Sequence, residues 1–218
     1  LLLSKRISKT LYYKKEIEVD ILFNRRENLK QYIKLYPVVA TLLFLNIAVH
    51  ALTYVPDLGN TIFNFGAGAN FLIADGEYWR LITSIFLHGG FLHLLFNCFS
   101  LYVFAPEMER ILGKARFITL YAIAGLFGNV ATYVFLDLRT VSVGASGAIF
   151  GVFGAYAALV YYTRKTMPAL RQIILPIIVI SIVMTFLQPG VNVAAHIGGM
   201  VVGFIIGLAY LHPKRILA

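Results

Sequence analysis

The chain has 218 residues, of which 59% are hydrophobic and only 13% are charged, and its mean hydropathy is +0.78. These values argue against a water-soluble monomer, because a compact globule of this length needs a polar surface. The net charge of +9 does not indicate a nucleic-acid-binding protein, since the basic residues are not interleaved with aromatic residues on one polar domain.

Six apolar stretches approach the length at which a helix crosses a bilayer, about 20 residues for a core of about 30 Å. They cover residues 36–55, 91–106, 117–136, 145–162, 173–187 and 193–211. Unpaired backbone groups are costly in hydrocarbon, so each stretch is predicted to be a helix. The sequence therefore predicts an all-α, polytopic membrane protein, with a six-helix core at residues 36–218 and a juxtamembrane segment at residues 1–35.

Lysine and arginine collect on the cytoplasmic side of membrane proteins and so predict the orientation of this chain. Nine of the 19 basic residues precede the first span, and eight more fall in segments that the same orientation puts inside. Only Arg80 and Arg139 are then outside. Both termini are predicted to be cytoplasmic, with outer loops at residues 56–90, 137–144 and 188–192. The compact six-span layout favours a bacterial plasma membrane.

The stretch of residues 20–35 mixes apolar and basic side chains. It has two interpretations, an amphipathic helix on the inner leaflet or a solvated tether held by its positive charge. The single cysteine, Cys98, lies in an apolar run and is interpreted as a packing residue.

Four polar residues lie near the predicted outer ends of the spans, where polar side chains need a partner or a function. They are His93, Asn97, Ser146 and His196. His93 and Asn97 are four residues apart and share one helix face. The predicted topology puts Ser146 and His196 at a similar depth.

Small residues predict that the helices of Ser146 and His196 approach closely. Gly199 lies on the His196 side of its helix, as do the glycines at offsets of 7 and 11 residues, and the helix of Ser146 is also rich in glycine and alanine. Such packing would bring Ser146 within hydrogen-bonding reach of His196. The alternative is a polar pair with no chemistry, satisfied within the membrane.

A serine hydroxyl becomes a nucleophile when an imidazole takes its proton, and the resulting oxyanion needs donors. We assign Ser146 as nucleophile and His196 as base, with His93, Asn97 and the Ser146 backbone N–H as oxyanion donors. All ten acidic residues lie at or before Asp137, and none falls in the outer half of a span. A Ser146/His196 dyad is therefore predicted, oriented by packing.

Two further interpretations concern residues near this site. Phe150, one turn after Ser146, is either an aromatic wall for the imidazole or an ordinary core residue. A zinc site at His88 and His93 is disfavoured by their five-residue spacing and by the lack of nearby carboxylates, so no metal or other cofactor is predicted. His50 and His212 are interpreted as incidental.

In its ordered motifs the sequence resembles the rhomboid family of intramembrane serine proteases. The matching residues are Trp79-Arg80, His88, His93, Asn97, Gly144-Ala145-Ser146-Gly147, and Ala195-His196 followed by Gly199 and Gly203. The resemblance runs from about residue 36 to residue 211. It implies the six-helix rhomboid fold and cleavage, near the outer membrane face, of membrane-protein substrates that have a transmembrane helix.

The resemblance also implies roles residue by residue. It makes Ser146 and His196 catalytic and His93 and Asn97 oxyanion donors, with Gly144, Phe150, His88 and Gly199 in support. It gives Glu109 a structural role that ties helix ends together, and it places Trp79 and Arg80 in a structured first loop. The fifth span, which contains Pro176, resembles the movable gate of the family; a proline-kinked packing helix is the alternative.

Two rival functions remain. A non-proteolytic rhomboid-like protein that binds membrane clients predicts a missing serine or histidine, and this chain has both Ser146 and His196. A transporter or channel predicts polar residues through the inner half of the bundle, where the sequence has almost none.

Overall fold

The computed structural model describes Phe23 and residues 25–212. This part of the chain forms ten α-helices, one 3-10 helix and two short strands. In chain order they are α1 (Leu29–Leu35), α2 (Pro37–Leu52), α3 (Leu58–Gly66), β1 (Gly68–Ala69), α4 (Asn70–Ala74), α5 (Arg80–Thr83), the 3-10 helix (Ser84–Phe86), α6 (Phe91–Leu112), α7 (Lys114–Phe135), β2 (Val141–Ser142), α8 (Ser146–Thr163), α9 (Pro168–Leu187) and α10 (Val193–Tyr210).

Five helices, α6 to α10, are long and apolar enough to cross a membrane, and the pair α1–α2, bent by 114°, is a sixth candidate. The lateral surface of the bundle is apolar, since large hydrophobic side chains on it are exposed. Examples are Phe44, Phe96, Phe99, Phe127, Val134, Ile180 and Ile205. A soluble protein would not expose so many. The predicted all-α polytopic class is confirmed, and the chain is an integral, multi-pass membrane protein.

The second span is longer than predicted, because α6 continues past Pro106 to Leu112. The expected end at residue 106 was wrong. A proline within a helix leaves the carbonyl four residues earlier without its donor, here the carbonyl of Tyr102. The hydroxyl of Tyr32 donates to that carbonyl at 3.3 Å, which replaces the lost hydrogen bond.

The other boundaries differ from the prediction by smaller amounts. The fifth span begins at Pro168 rather than residue 173, because proline at the first position of a helix sacrifices no hydrogen bond. The first span is shorter than expected, with 16 helical residues ending at Leu52. The boundaries of the remaining three spans lie within three residues of the predicted ones.

Glu109 joins the start of α2 to the end of α6. Its carboxylate accepts hydrogen bonds from the backbone N–H groups of Val38 at 3.1 Å and Val39 at 2.9 Å. The first N–H groups of a helix have no partner within the helix and favour negative charge, so a carboxylate fits them. This contact is the structural role expected of Glu109.

Some side chains in the described part of the N-terminal segment pack on the bundle, although most residues of α1 are exposed. Arg25 forms an ion pair of 2.6 Å with Glu107, and both side chains are almost fully buried. Phe23 lies edge-on against the rings of Phe104 and Tyr156. Helix α1 begins with a capping box at Asn28. Residues 20–22 and 24 of the predicted amphipathic stretch lie outside the described residues, and the division of the chain at residue 35 stays a prediction.

Helix α8 lies at the centre of the bundle, since 14 of its 18 residues are buried. Its contact with α10 is a backbone contact. A Cβ atom added at Gly199 would overlap the carbonyl oxygen of Gly147, and one added at Gly203 would overlap the carbonyl oxygen of Gly151. The predicted close approach of these two helices is therefore present.

We expect Gly199→Val to destabilise the protein, because the added side chain has no space beside Gly147. Overpacking of this kind costs about 1–3 kcal/mol or more. Thermal unfolding of the purified protein in detergent measures the change. Gly90→Ala is the control, because a Cβ there meets no atom within 4 Å. If Gly199→Val unfolds at the temperature of the control, the close packing of α8 and α10 is not needed for stability.

Candidate active site

The loop before Ser146 is held by the first loop of the chain. Strand β1 pairs antiparallel with β2, with Gly68 opposite Ser142. The N–H of Gly144 donates to the carbonyl of Ser84 at 2.9 Å. Gly144 has a φ of +130°, a backbone conformation that favours glycine. Helix α8 then begins at Ser146, so the nucleophile candidate lies in the first turn of a long helix.

His196 is held in the first turn of α10 by a helix cap. The side chain of Asn192 accepts from the N–H of Ala195 at 3.0 Å and donates to the hydroxyl of Thr132 at 2.8 Å. These contacts attach the start of α10 to α7. The imidazole of His196 is buried, with 8% of the residue exposed.

The imidazole of His196 stacks on the ring of Phe150, with centroids 4.0 Å apart and planes within 17°. Phe150 is one turn after Ser146 on the same helix, so the stack brings the imidazole to the serine end of α8. Phe150 is thus the aromatic wall of the imidazole. Among the described residues, no hydrogen bond of 3.5 Å or less joins the Ser146 hydroxyl to His196. The two side chains lie at the same end of the bundle but are not hydrogen-bonded to each other.

His93 faces the loop that carries Ser146. A Cβ added at Gly144 would lie 2.7 Å from Nε2 of His93 and 3.8 Å from Oγ of Ser146. The other ring nitrogen, Nδ1, accepts from the N–H of Gly89 at 3.4 Å. An imidazole that accepts at Nδ1 carries its proton on Nε2. The nitrogen beside Gly144 is therefore an N–H donor, as an oxyanion site needs.

Asn97 is buried on the same face of α6, one turn after His93. Its amide nitrogen donates to the carbonyl of His93 at 2.8 Å. This bond uses one of the two amide protons and fixes the side chain on the His93 side of the helix. The second proton has no partner among the described residues. Within residues 25–212, no hydrogen bond joins Asn97 to Ser146.

His88 lies behind His93 in a row of histidines. Its ring centroid is 5.2 Å from that of His93 and 6.3 Å from that of His50. A cavity of about 250 Å³ adjoins the row, and its lining includes His50, Asn60, His88 and Gly89. Burial, with smaller contributions from His93 and His50, lowers the pKa of His88 to about 4. His88 is therefore neutral at physiological pH and adds no positive charge beside His93.

His50 is part of this row, which the sequence did not predict. It is buried and its ring lies edge-on to that of Tyr54. Among the described residues, no group of three or more His, Cys, Asp or Glu side chains is arranged to hold a metal ion.

The first loop is ordered around Arg80 and Trp79. The guanidinium of Arg80 is buried and donates to the carbonyls of Asn64 and Ala67 at 2.7 and 2.9 Å. The indole of Trp79 stacks on Phe65 and donates to its carbonyl at 3.2 Å. In the described part of the chain, the hydrogen bonds of both side chains stay within this loop.

Two residues of the site were missed at the sequence level. Thr185 on α9 makes a 2.8 Å hydrogen bond to Nδ1 of His196. Asn192 caps α10. The signal for Asn192 was available, because asparagine before an apolar periodic run is a helix start. Thr185 carried a weaker signal, since threonine hydroxyls in helices usually bond to their own backbone.

The chain is similar to known proteins over most of its length. A family model described as the Rhomboid domain matches residues 75–213. The putative rhomboid protease YdcA of Bacillus subtilis is 40% identical over 196 residues, which cover 89% of this chain and 98% of YdcA. The rhomboid protease GluP of the same organism is 41% identical over 71% of this chain, but the match spans only 30% of GluP.

A more distant bacterial relative agrees with this result. The rhomboid protease AarA of Providencia stuartii is 32% identical over 210 residues, which cover 81% of this chain and 74% of AarA. The family match includes every residue of the candidate site from His88 to His196. On the fold, the ordered motifs and these matches, the chain belongs to the rhomboid family.

Proposed function

We propose that this rhomboid-family protein is an intramembrane serine endopeptidase that cleaves transmembrane segments of membrane proteins with a Ser146/His196 dyad. The observation that carries the proposal is the stack of His196 on Phe150, one turn from Ser146. A base is thereby kept beside the first turn of α8. The names of the relatives as rhomboid proteases support the same activity.

The reaction is an acyl transfer. His196 takes the hydroxyl proton of Ser146 as its oxygen attacks the substrate carbonyl carbon, and the carbonyl oxygen becomes an oxyanion. The tetrahedral intermediate collapses, the C–N bond breaks, and His196 gives the proton to the leaving amine. Water then attacks the acyl-serine ester, with His196 again as base, and releases the carboxylate fragment and free Ser146.

The oxyanion has three sources of stabilisation. The Nε2–H of His93 lies beside Gly144 and the second amide proton of Asn97 is unused. The N–H groups of the first turn of α8 have no partner within the helix, so the N-terminus of α8 also favours negative charge. Donors fixed in advance act on the charge that develops in the transition state.

We propose that cleavage takes place near the outer membrane face. The transmembrane helices alternate in direction, so the segments around Arg110, Lys114, Arg164 and Lys165 lie at the end of the bundle opposite Ser146. Positive residues favour the cytoplasmic side, which supports an outward-facing serine end. Lys214 and Arg215 support the same orientation from the sequence but lie outside the described residues. The nearly full-length match to YdcA, a bacterial protein, favours a bacterial plasma membrane.

The alternative is a non-proteolytic protein that binds membrane clients. Such a protein needs neither a base beside the serine nor a histidine donor at the preceding loop. The arrangement of His93, Ser146 and His196 therefore favours the protease, and labelling of the serine distinguishes the two.

We expect the protein to react with a fluorophosphonate probe in detergent, because only an activated serine attacks this phosphorus centre. Ser146→Ala and His196→Ala should both abolish labelling and cleavage of a transmembrane substrate. In-gel fluorescence and substrate cleavage measure these effects.

Thr119→Ala is the matched control for this experiment. Thr119 lies near the start of α7, at the end of the bundle opposite Ser146, and its hydroxyl bonds to the carbonyl of Ala115 in its own helix, so its removal should leave labelling unchanged. Labelling that persists in the Ser146→Ala, His196→Ala double variant would contradict the assignment. A wild-type protein that binds substrate but neither labels nor cleaves would support the client-binding alternative.

We expect His93→Ala and Asn97→Ala each to lower kcat by about 10²–10³, the usual cost of losing one oxyanion donor. KM should change little, because the oxyanion forms only in the transition state. Steady-state cleavage kinetics measure both constants. Thr119→Ala, which removes a hydroxyl bonded to its own helix at the opposite end of the bundle, should keep the wild-type kcat. A wild-type kcat in either site variant would show that the residue is not an oxyanion donor and has only a packing role.

A further inference from the structure

Thr185 is the polar end of the stripe by which α9 is attached to the bundle. The buried residues of α9 are Leu170, Ile174, Ile178 and Thr185, and they follow a helical period along one face. The other faces expose large apolar side chains such as Ile180, Met184 and Phe186. Helix α9 is therefore attached along one side only, and Thr185 is its contact at the depth of the site.

The hydroxyl of Thr185 makes two hydrogen bonds. It lies 2.8 Å from Nδ1 of His196 and 2.9 Å from the carbonyl oxygen of Ser181. A carbonyl oxygen can only accept, so both bonds form together only when the single hydroxyl proton of Thr185 is directed to Ser181 and Nδ1 of His196 carries a proton. The bond to His196 then has Thr185 as acceptor and Nδ1–H as donor.

This assignment defines the tautomer of His196. A neutral imidazole with its proton on Nδ1 carries a lone pair on Nε2. A base acting on the serine hydroxyl needs that lone pair. In serine hydrolases with three catalytic residues, an acid on the far nitrogen of the imidazole holds this tautomer.

We propose that Thr185 is a positioning residue that holds His196 in its Nδ1–H tautomer. The role rests on the proposed function. It also makes the base depend on α9, because Thr185 leaves His196 if the outer end of α9 moves away from α10. The docked position of α9 is then the one in which His196 is ready to take the serine proton.

A neutral acceptor suits this position better than an acid. An ionised carboxylate at this depth would be costly unless it were fully paired, whereas a hydroxyl bonded to a carbonyl carries no net charge. Thr185 itself is buried, with 3% of its surface exposed. Thr185 is thus the acceptor for Nδ1–H of His196, a role for which the sequence offers no acidic residue.

The other restraints on His196 cannot replace Thr185. The stack on Phe150 defines the plane of the imidazole but accepts no N–H bond within that plane. Asn192 holds the backbone at the start of α10 and not the side chain of His196. Among the described residues, the hydroxyl of Thr185 is the group that hydrogen-bonds Nδ1.

The first test compares Thr185→Val with Thr185→Ser in steady-state cleavage. Valine keeps the shape and removes the acceptor, so kcat should fall on the order of 10-fold with KM nearly unchanged. Serine keeps the hydroxyl and should restore most of kcat. Thr163→Val is the matched control, because Thr163 is equally buried and its hydroxyl bonds only to the carbonyl of Leu159 in its own helix.

The control should keep the wild-type kcat, and thermal unfolding of all three variants separates lost function from lost fold. A Thr185→Val variant with wild-type kcat would overturn the positioning role. So would an equal loss in the valine and serine variants.

The second test reads the tautomer without catalysis. In ¹⁵N-histidine-labelled Ser146→Ala protein at about pH 8, where an ordinary imidazole is neutral, the nitrogen shifts of His196 should report Nδ1–H. Adding Thr185→Val should move them toward a mixture of tautomers. If Thr185→Val leaves the nitrogen shifts of His196 unchanged, the positioning role of Thr185 is contradicted, but the proposed protease function is not. A wild-type protein without Ser146-dependent cleavage contradicts the proposed function, whatever the spectra show.

Discussion

The contact between α8 and α10 is the constraint on which the site depends. Ser146 and His196 lie in the first turns of these two helices and are 50 residues apart in the chain. Their backbones touch because Gly147 faces Gly199 and Gly151 faces Gly203. Lipid tails are as apolar as leucine, so helix association in a membrane relies on such close packing. Replacing a glycine of either pair by a residue with a side chain would separate the helices and move the imidazole away from the serine.

A second requirement is that each backbone group in the apolar interior finds a partner. At the end opposite the serine, Glu109 satisfies the start of α2, and Tyr32 satisfies the carbonyl that Pro106 leaves free. At the serine end, Asn192 accepts a hydrogen bond from the start of α10. The carbonyl of Ser84 accepts one from the N–H of Gly144 in the loop before Ser146. These contacts hold the two ends of the bundle, so the site is supported by residues that take no part in chemistry.

The imidazole of His196 contacts two helices that differ in how deeply they are buried. Phe150 belongs to α8, the most buried helix, whereas Thr185 belongs to α9, which has only 4 of its 20 residues buried. A helix attached along one face opens more easily than the core. Under the proposed role of Thr185, the position of α9 and the readiness of the base are therefore linked. The imidazole keeps its plane when α9 moves, but it loses the acceptor for its Nδ1 proton.

Much of this molecule follows from residue order. Apolar runs imply helices wherever the solvent is hydrocarbon, the glycines below His196 imply a close neighbour, and the four-residue step from His93 to Asn97 puts both on one face. Such inferences hold because they concern neighbours along one helix or the needs of a single span. Spacing does not say which atom of a second helix meets a given side chain. The length of α6 beyond Pro106, the row from His50 to His93 and the bond from Thr185 to His196 depend on how the helices rotate and slide against each other, and that is settled by packing in three dimensions.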